Sequence, residues 1–296
     1  MKSGFVGLIG RPNVGKSTLI NTIIGEKVAI VSKRPQTTRN IIQGIYNDDD
    51  SQIVFVDTPG IHKPNHKLGT YLNKQAYYTI EDNDVLLFLI SANEEWGRGD
   101  DFVLERLKAT GKPIILVINK IDLITKEELY LKIDDVRNKY DFEAIVPVSA
   151  LRDNNTKRLI KVIKDLLKEG PAFYDKDEYT NKSVKFLIAE MVREKVFNLT
   201  EQEIPHSASC IVEGFEKSNN SYVINVAIIV DRTSVKKIIV GAHGSMIKEI
   251  GIQARKDIEA LLNSTVYLSL FVKVIPKWRD KEQYLHEFGY DDFKDE

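Results

Sequence analysis

Residues 10–17 read Gly-Arg-Pro-Asn-Val-Gly-Lys-Ser, and this stretch decides the architecture of the first half of the chain. It satisfies the pattern G-x-x-x-x-G-K-[ST]. It follows the apolar run Phe5-Val6-Gly7-Leu8-Ile9, and it opens a segment in which Leu19, Ile20, Ile23 and Ile24 recur at helical spacing up to Gly25. A strand, a glycine-rich turn and a helix in that order bring backbone N–H groups and the positive helix end to one point, which suits a polyphosphate. Asn13, Val14, Gly15, Lys16, Ser17 and Thr18 are the expected phosphate cradle. Lys16 reaches the outer phosphates, with a catalytic role, and the Ser17 hydroxyl is a magnesium ligand.

Further apolar runs extend the pattern: Ile53–Val56, Val85–Ile90, Ile114–Ile118 and Ala144–Val148. They read as strands buried on both faces, and the helical stripe Leu159, Ile160, Ile163, Leu166, Leu167 follows the last of them. Strands alternating with helices predict an α/β P-loop NTPase domain built on a mostly parallel sheet, spanning residues 1–170. Two loops at strand ends add chemistry. Asp57 closes one strand before Thr58-Pro59-Gly60, which places a carboxylate where it can support magnesium and the Gly60 amide where it can sense a terminal phosphate. Asn119-Lys120-Ile121-Asp122 closes another. The Asp122 carboxylate can accept from the N1–H and the exocyclic amine of guanine, a pair of donors that adenine lacks. Ser149-Ala150-Leu151, after the fifth run, would set backbone amides against the guanine O6.

At 296 residues the chain suits two domains of about 150 residues each, and 43% apolar with 29% charged residues is an ordinary globular composition. The net charge of -1 argues against a chain basic throughout, so contact with nucleic acid must come from a local patch. One cysteine, Cys210, permits neither an intrachain disulfide nor a thiolate zinc cage and fits a reducing cytoplasm. No apolar run approaches the ~18–20 residues of a spanning helix, and the N-terminus does not read as a signal peptide. His62 and His66 stand four apart without an evident third ligand, so no structural metal is expected there.

Residues 170–181, GPAFYDKDEYTN, lack periodicity and suggest a linker over 171–181. Beyond it the pattern changes. A helical stripe at Val184, Leu187, Ile188, Met191 and Val192 precedes two strand-like runs, Ser209–Phe215 and Tyr222–Val230. A short helix over Ser234–Ile239, a long helix from Ile247 to Leu261 and a strand over Val266–Val274 follow. Gly241-Ala242-His243-Gly244 sits between the two helices. This is the G-x-x-G arrangement of an α+β KH domain, whose loop clamps single-stranded nucleic acid. From Arg232 to Arg279 there are nine basic residues (232, 236, 237, 248, 255, 256, 273, 277 and 279) against Glu249, Asp257 and Glu259, a local excess of +6. Gly241, Ala242, His243, Gly244, Lys248, Arg255, Lys273 and Lys277 are the expected RNA contacts, and residues 182–296 the expected RNA-binding domain.

The ordered set GRPNVGKS, PQTTR, DTPG, NKID and SAL resembles the translation-factor-like GTPases and, among them, the Era family. The stretches IIVGAHGSMIKEIGIQARKDIEALL (238–262) and VYLSLFVKVIPKW (266–278) are similar to that family's C-terminal type II KH domain. The resemblance implies a GTPase that uses GTP and GDP with magnesium, binds the 3′ end of small-subunit ribosomal RNA and assists assembly of the small ribosomal subunit. It implies a cytoplasmic protein with peripheral association to the inner face of the membrane, and a monomer is expected. It also marks residues 35–39, Pro-Gln-Thr-Thr-Arg, as the first switch, where one threonine, Thr38 in preference to Thr37, ligates magnesium. Ile61 stands after Asp57-Thr58-Pro59-Gly60, where Ras-like enzymes carry a water-orienting glutamine, so slow intrinsic hydrolysis is expected. Related GTPases with an Asn in the phosphate loop, here Asn13, use a potassium ion as an extra activating charge, and the resemblance extends that expectation to this chain. Two other readings remain open at this stage: an RNA-binding module whose nucleotide site only stabilises it, and a P-loop kinase or ATPase.

Overall fold

The computed structural model describes every residue except 33–38, 58–66, 71–79, 202–203 and 291–296. The chain divides into two units, Met1–Ala29, Thr38–His62 and Leu72–Asn181 forming the first, and Ile30–Thr37, Lys63–Tyr71 and Lys182–Glu296 the second.

In the first unit the strands are β1 (Lys2–Gly10), β2 (Ile42–Asn47), β3 (Ser51–Asp57), β4 (Val85–Ser91), β5 (Ile114–Asn119) and β6 (Ala144–Pro147). The helices are α1 (Lys16–Ile24), α2 (Arg98–Lys108), α3 (Lys126–Arg137) and α4 (Thr156–Leu166). The sheet order is β2-β3-β1-β4-β5-β6, with every neighbouring pair parallel except β2 and β3. β3, β4 and β5 are buried at every position because helices cover both faces of the sheet. Each fully buried Val, Leu or Ile side chain there contributes about 1.5–3 kcal/mol, so the site at the strand ends stands on a rigid floor. β1 lies between β3 and β4, where the direction of winding reverses, and the carboxyl ends of the strands open a crevice at that point.

β2 was not evident in the sequence, since Ile42-Gln43-Gly44-Ile45-Tyr46-Asn47 carries only a weak apolar pattern. It pairs antiparallel at the edge of the sheet, and residues 171–181 lie along it. The side chain of Gln52 accepts from the N–H groups of Phe173 and Tyr174, the Ile45 N–H donates to the Tyr179 carbonyl (3.0 Å), and the Asn47 amide donates to the Lys176 carbonyl. The stretch expected as a linker is therefore held against the first unit. Its contacts are backbone and amide hydrogen bonds, which leave no trace in apolar periodicity.

The second unit contains α5 (Val184–Leu199), β7 (Ser209–Ser218), β8 (Ser221–Val230), α6 (Thr233–Val240), α7 (Ser245–Leu262) and β9 (Thr265–Val274). Ser183 caps α5 by accepting from the Phe186 N–H. β7 and β8 form an antiparallel hairpin with a bulge between Val212 and Gly214, and β9 joins β8 in parallel. One sheet face packs Ile224, Val226, Ile228, Val266 and Val272 against Ile188, Val192, Ile250, Ala254 and Ile258 of the helices. After β9, Trp278 is fully buried, stacks near Tyr290 and donates from Nε1 to the Ser207 carbonyl (3.1 Å).

Candidate functional site

The loop after β1 has the backbone that phosphate binding needs. Asn13 (φ 64°) and Gly15 (φ 98°) are left-handed, and α1 begins at Lys16 with no acidic side chain in its first turn to offset its positive end. Val14 is fully buried, while Ser17 and Thr18 lie in that first turn. Lys16 is buried, and its ammonium donates to the carbonyls of Gly10 (3.2 Å) and Arg11 (3.3 Å). Burial pulls its pKa below the usual lysine value, and the Asp57 charge only partly opposes that. A buried cation held by two neutral carbonyls is poised for an anion.

Asp57 is fully buried at the end of β3 and accepts from the Ser17 hydroxyl at 2.7 Å. A hydroxyl and a carboxylate are the hard oxygen donors that magnesium takes, so this pair fits the ion. Thr38 and Gly60, together with Thr37, Ile61, His62 and His66, lie outside the described residues. Among the described residues no group of three or more His, Cys, Asp or Glu could hold a metal.

The third loop shows what spacing could not. Asn119, almost fully buried, donates from Nδ2 to the Val14 carbonyl (2.8 Å) and accepts at Oδ1 from the Ala150 N–H (3.0 Å). It thus ties the phosphate loop to the loops after β5 and β6. Lys120 turns left-handed (φ 64°), which lets Asn119 point inward while Asp122 projects outward in the short turn that follows. Asp122 is exposed. A base seated on it, not the fold, would desolvate it. The buried Ser149 hydroxyl donates to Asp122 Oδ1 (2.5 Å) and so orients the carboxylate. The expectation for the Ser149–Leu151 amides is narrowed: the Ser149 N–H donates to the Asn154 carbonyl and the Ala150 N–H to Asn119, whereas Leu151 is 75% exposed.

In the second unit the G-x-x-G loop joins α6 to α7 in a tight reversal, left-handed at Gly241 (φ 75°), His243 (φ 50°) and Gly244 (φ 78°), with Ala242 and His243 exposed. Ile250, Ala254 and Ile258 form the buried face of α7. Lys248, Ile252 and Arg255, spaced by four and three residues, form an exposed stripe that starts at the loop. Ile238 on α6 is 49% exposed and Ile252 38%, so apolar surface accompanies the positive charge; solvent exposure of this kind is invisible in the pattern. Lys273 is not part of this group. Alternation along β9 puts it on the sheet face opposite Val272, which packs against the helices, and its ammonium is paired with Glu213 at 2.5 Å. Lys277 is exposed beyond the end of β9.

Residues 5–120 match the family model described as 50S ribosome-binding GTPase, and residues 203–279 match that of the KH domain. Two solved structures are similar over nearly the whole chain. The first is a single-residue variant of Aquifex aeolicus Era bound to GDP.AlF4-, at 40% identity over 98% of this chain and 99% of that one, with a TM-score of 0.94. The second is Era in complex with MgGDPNP and nucleotides 1506-1542 of 16S ribosomal RNA, at 41% identity over the same shares and with the same TM-score. Because that identity runs through both units, and not through the phosphate loop alone, this chain belongs to the Era family of GTPases.

Proposed function

We propose that this chain is a guanine-nucleotide switch that binds GTP with magnesium, hydrolyses it to GDP and phosphate, and engages small-subunit ribosomal RNA near its 3′ end through the KH domain. The observation that carries the nucleotide half is Asn119, which braces Val14 of the phosphate loop and Ala150 beside the base site in one side chain. The RNA half rests on the exposed Lys248, Ile252 and Arg255 stripe at the G-x-x-G loop, and on the relative that holds 16S ribosomal RNA.

In hydrolysis, water attacks the γ-phosphorus, the bond to the β,γ-bridging oxygen breaks, and negative charge builds on the leaving diphosphate. Lys16 and the N–H groups opening α1 face that charge, and Ser17 with Asp57 would hold the magnesium ion. When bound there, magnesium would supply charge neutralisation to the phosphates. Gly60 is assigned the sensing of the terminal phosphate and Thr38 the second magnesium contact. Ile61 offers no hydrogen bond to the water, so turnover is slow until a partner or another group completes the site. Asn13, at the rim of the loop, suits a potassium ion as that added charge.

The coupled activity fits a role in assembly of the small subunit, in the cytoplasm and as a monomer, with peripheral attachment to the inner membrane face. No helix among the described residues is long and apolar enough to cross a membrane. The deciding experiment measures GTP turnover with and without small ribosomal subunits, in potassium and in sodium, and RNA affinity in GTP and in GDP. Turnover stimulated by subunits, with RNA affinity that differs between the two nucleotides, is expected. Equal RNA affinities would favour an RNA-binding module with a merely stabilising nucleotide. Hydrolysis of ATP as well as GTP would remove the guanine reading of Asp122.

A further inference from the structure

Arg11, the second residue of the phosphate loop, has a backbone role and a side-chain role that meet. Its carbonyl is one of the two acceptors of the Lys16 ammonium. Its guanidinium leaves the loop and lies between two carboxylates near the start of α2. Nε is 2.9 Å from Asp100 Oδ1, an ion pair off the line of a hydrogen bond, and Nη2 donates to Glu94 Oε2 at 2.9 Å. The Asp100 side chain is 1% exposed and that of Glu94 40%, so the Asp100 pair is the one shielded from water.

Three further features show that this place is built for the guanidinium. Asp100 is itself immobilised, since Oδ2 accepts from the Gly97 N–H (3.0 Å) in the cap of α2. Gly99 lies under the arginine stem, and a Cβ there would stand 3.0 Å from Arg11 Cδ. On the far side Lys132, whose pKa burial lowers, donates to the Glu94 carbonyl at 2.6 Å and holds the loop between β4 and α2.

We infer that Arg11 is a positioning residue for nucleotide binding: the Asp100 ion pair anchors the loop whose carbonyl holds Lys16, and so keeps the phosphate cradle in shape before the nucleotide arrives. The anchor holds the cradle in a conformation that keeps Asn13, a residue with a side chain, left-handed (φ 64°). The anchor acts on the loop and touches neither the γ-phosphate nor the attacking water. It therefore strengthens ground state and transition state alike.

This inference rests on the GTPase reading. Asp100→Asn is the sharpest probe, because an amide oxygen still accepts from the Gly97 N–H while the charge facing Arg11 is lost. The affinity for labelled GDP, and KM and kcat for GTP, are measured for Asp100→Asn, Arg11→Ala, Arg11→Lys, Glu94→Gln and the Arg11→Ala/Asp100→Asn double variant, with melting followed by circular dichroism. Asp100→Asn and Arg11→Ala should each raise Kd and KM about tenfold with kcat changed by less than about twofold. The double variant should be no worse than either single one. Arg11→Lys should recover most of the affinity, and Glu94→Gln should cost less than about threefold. Unchanged Kd and KM in Asp100→Asn, a kcat that falls as far as kcat/KM, or losses that multiply in the double variant would overturn the assignment. A parent protein that fails to bind GDP would overturn the GTPase reading as well.

Discussion

Gly15→Ala tests the junction of the phosphate loop with the base-binding loop, and its cost can be worked from two separable terms. Gly15 is left-handed (φ 98°), and forcing an L side chain into that region costs about 1–2 kcal/mol, partly offset by the ~0.4–1 kcal/mol that alanine gains in the unfolded chain. The second term is steric. A Cβ on Gly15 would stand 2.2 Å from Asn119 Nδ2, so Asn119 must move and give up its bonds to Val14 and Ala150. Each buried group left unpaired costs about 1–3 kcal/mol, which brings this term to about 2–6 kcal/mol. Gly25 supplies the control: it ends α1 with φ 80°, its N–H bonds to the Asn21 carbonyl, and nothing lies within 4 Å of an added Cβ. Gly25→Ala therefore reports the conformational term alone, about 1 kcal/mol or less. Urea unfolding of both variants should separate them by at least about 2 kcal/mol, and labelled GDP should bind Gly15→Ala at least about 30-fold more weakly than the parent. If the two variants unfold at the same urea concentration, and GDP affinity stays within about threefold of the parent, Asn119 is not the strut described here.

Other parts of the molecule yield further expectations. Glu190→Ala removes the carboxylate paired with the fully buried guanidinium of Arg193, to which both Glu190 oxygens lie at 2.6 Å, and should lower the stability of the second unit by about 3–5 kcal/mol in thermal denaturation. Lys248→Ala and Arg255→Ala should each weaken RNA binding and reduce its salt slope by about 1, while Lys273→Ala, on the opposite sheet face and paired with Glu213, should leave the slope near that of the parent. For Asp48, partial burial alone would raise the carboxyl pKa, but Lys164, the Ser51 hydroxyl and the Tyr46 hydroxyl together hold it well below the usual range. A carboxylate depressed on folding stabilises the protein above its unfolded pKa of about 3.9 and loses that contribution as pH falls through the folded value. Asp48→Asn should thus cost on the order of 1 kcal/mol at pH 7 in urea unfolding, with the gap to the parent closing below about pH 4.

The architecture was legible in the residues alone. Five apolar runs, four of them ending at a motif, specify a parallel sheet with its functional loops at one edge, because a strand buried on both faces must be apolar throughout and its polar residues can appear only where it ends. The long stripe of α7 beside the G-x-x-G loop revealed the second domain in the same way. Which side chains meet emerged only on folding. In sequence Asn119 is one letter of the N-K-x-D motif and in space it is a strut; Arg11 occupies an x position of the phosphate-loop pattern and is anchored at Asp100, 89 residues away in the chain. Lys248 and Lys273 contribute equally to a charge count yet lie apart, because side-chain alternation on β9 turns Lys273 away from the helices. β2 was missed, and residues 171–181 read as a linker, for a related reason: backbone and amide hydrogen bonds hold them, and such bonds require no particular side-chain pattern. Periodicity records which face of an element avoids water, whereas pairing across distant loops depends on distances and angles that exist only once the chain has folded.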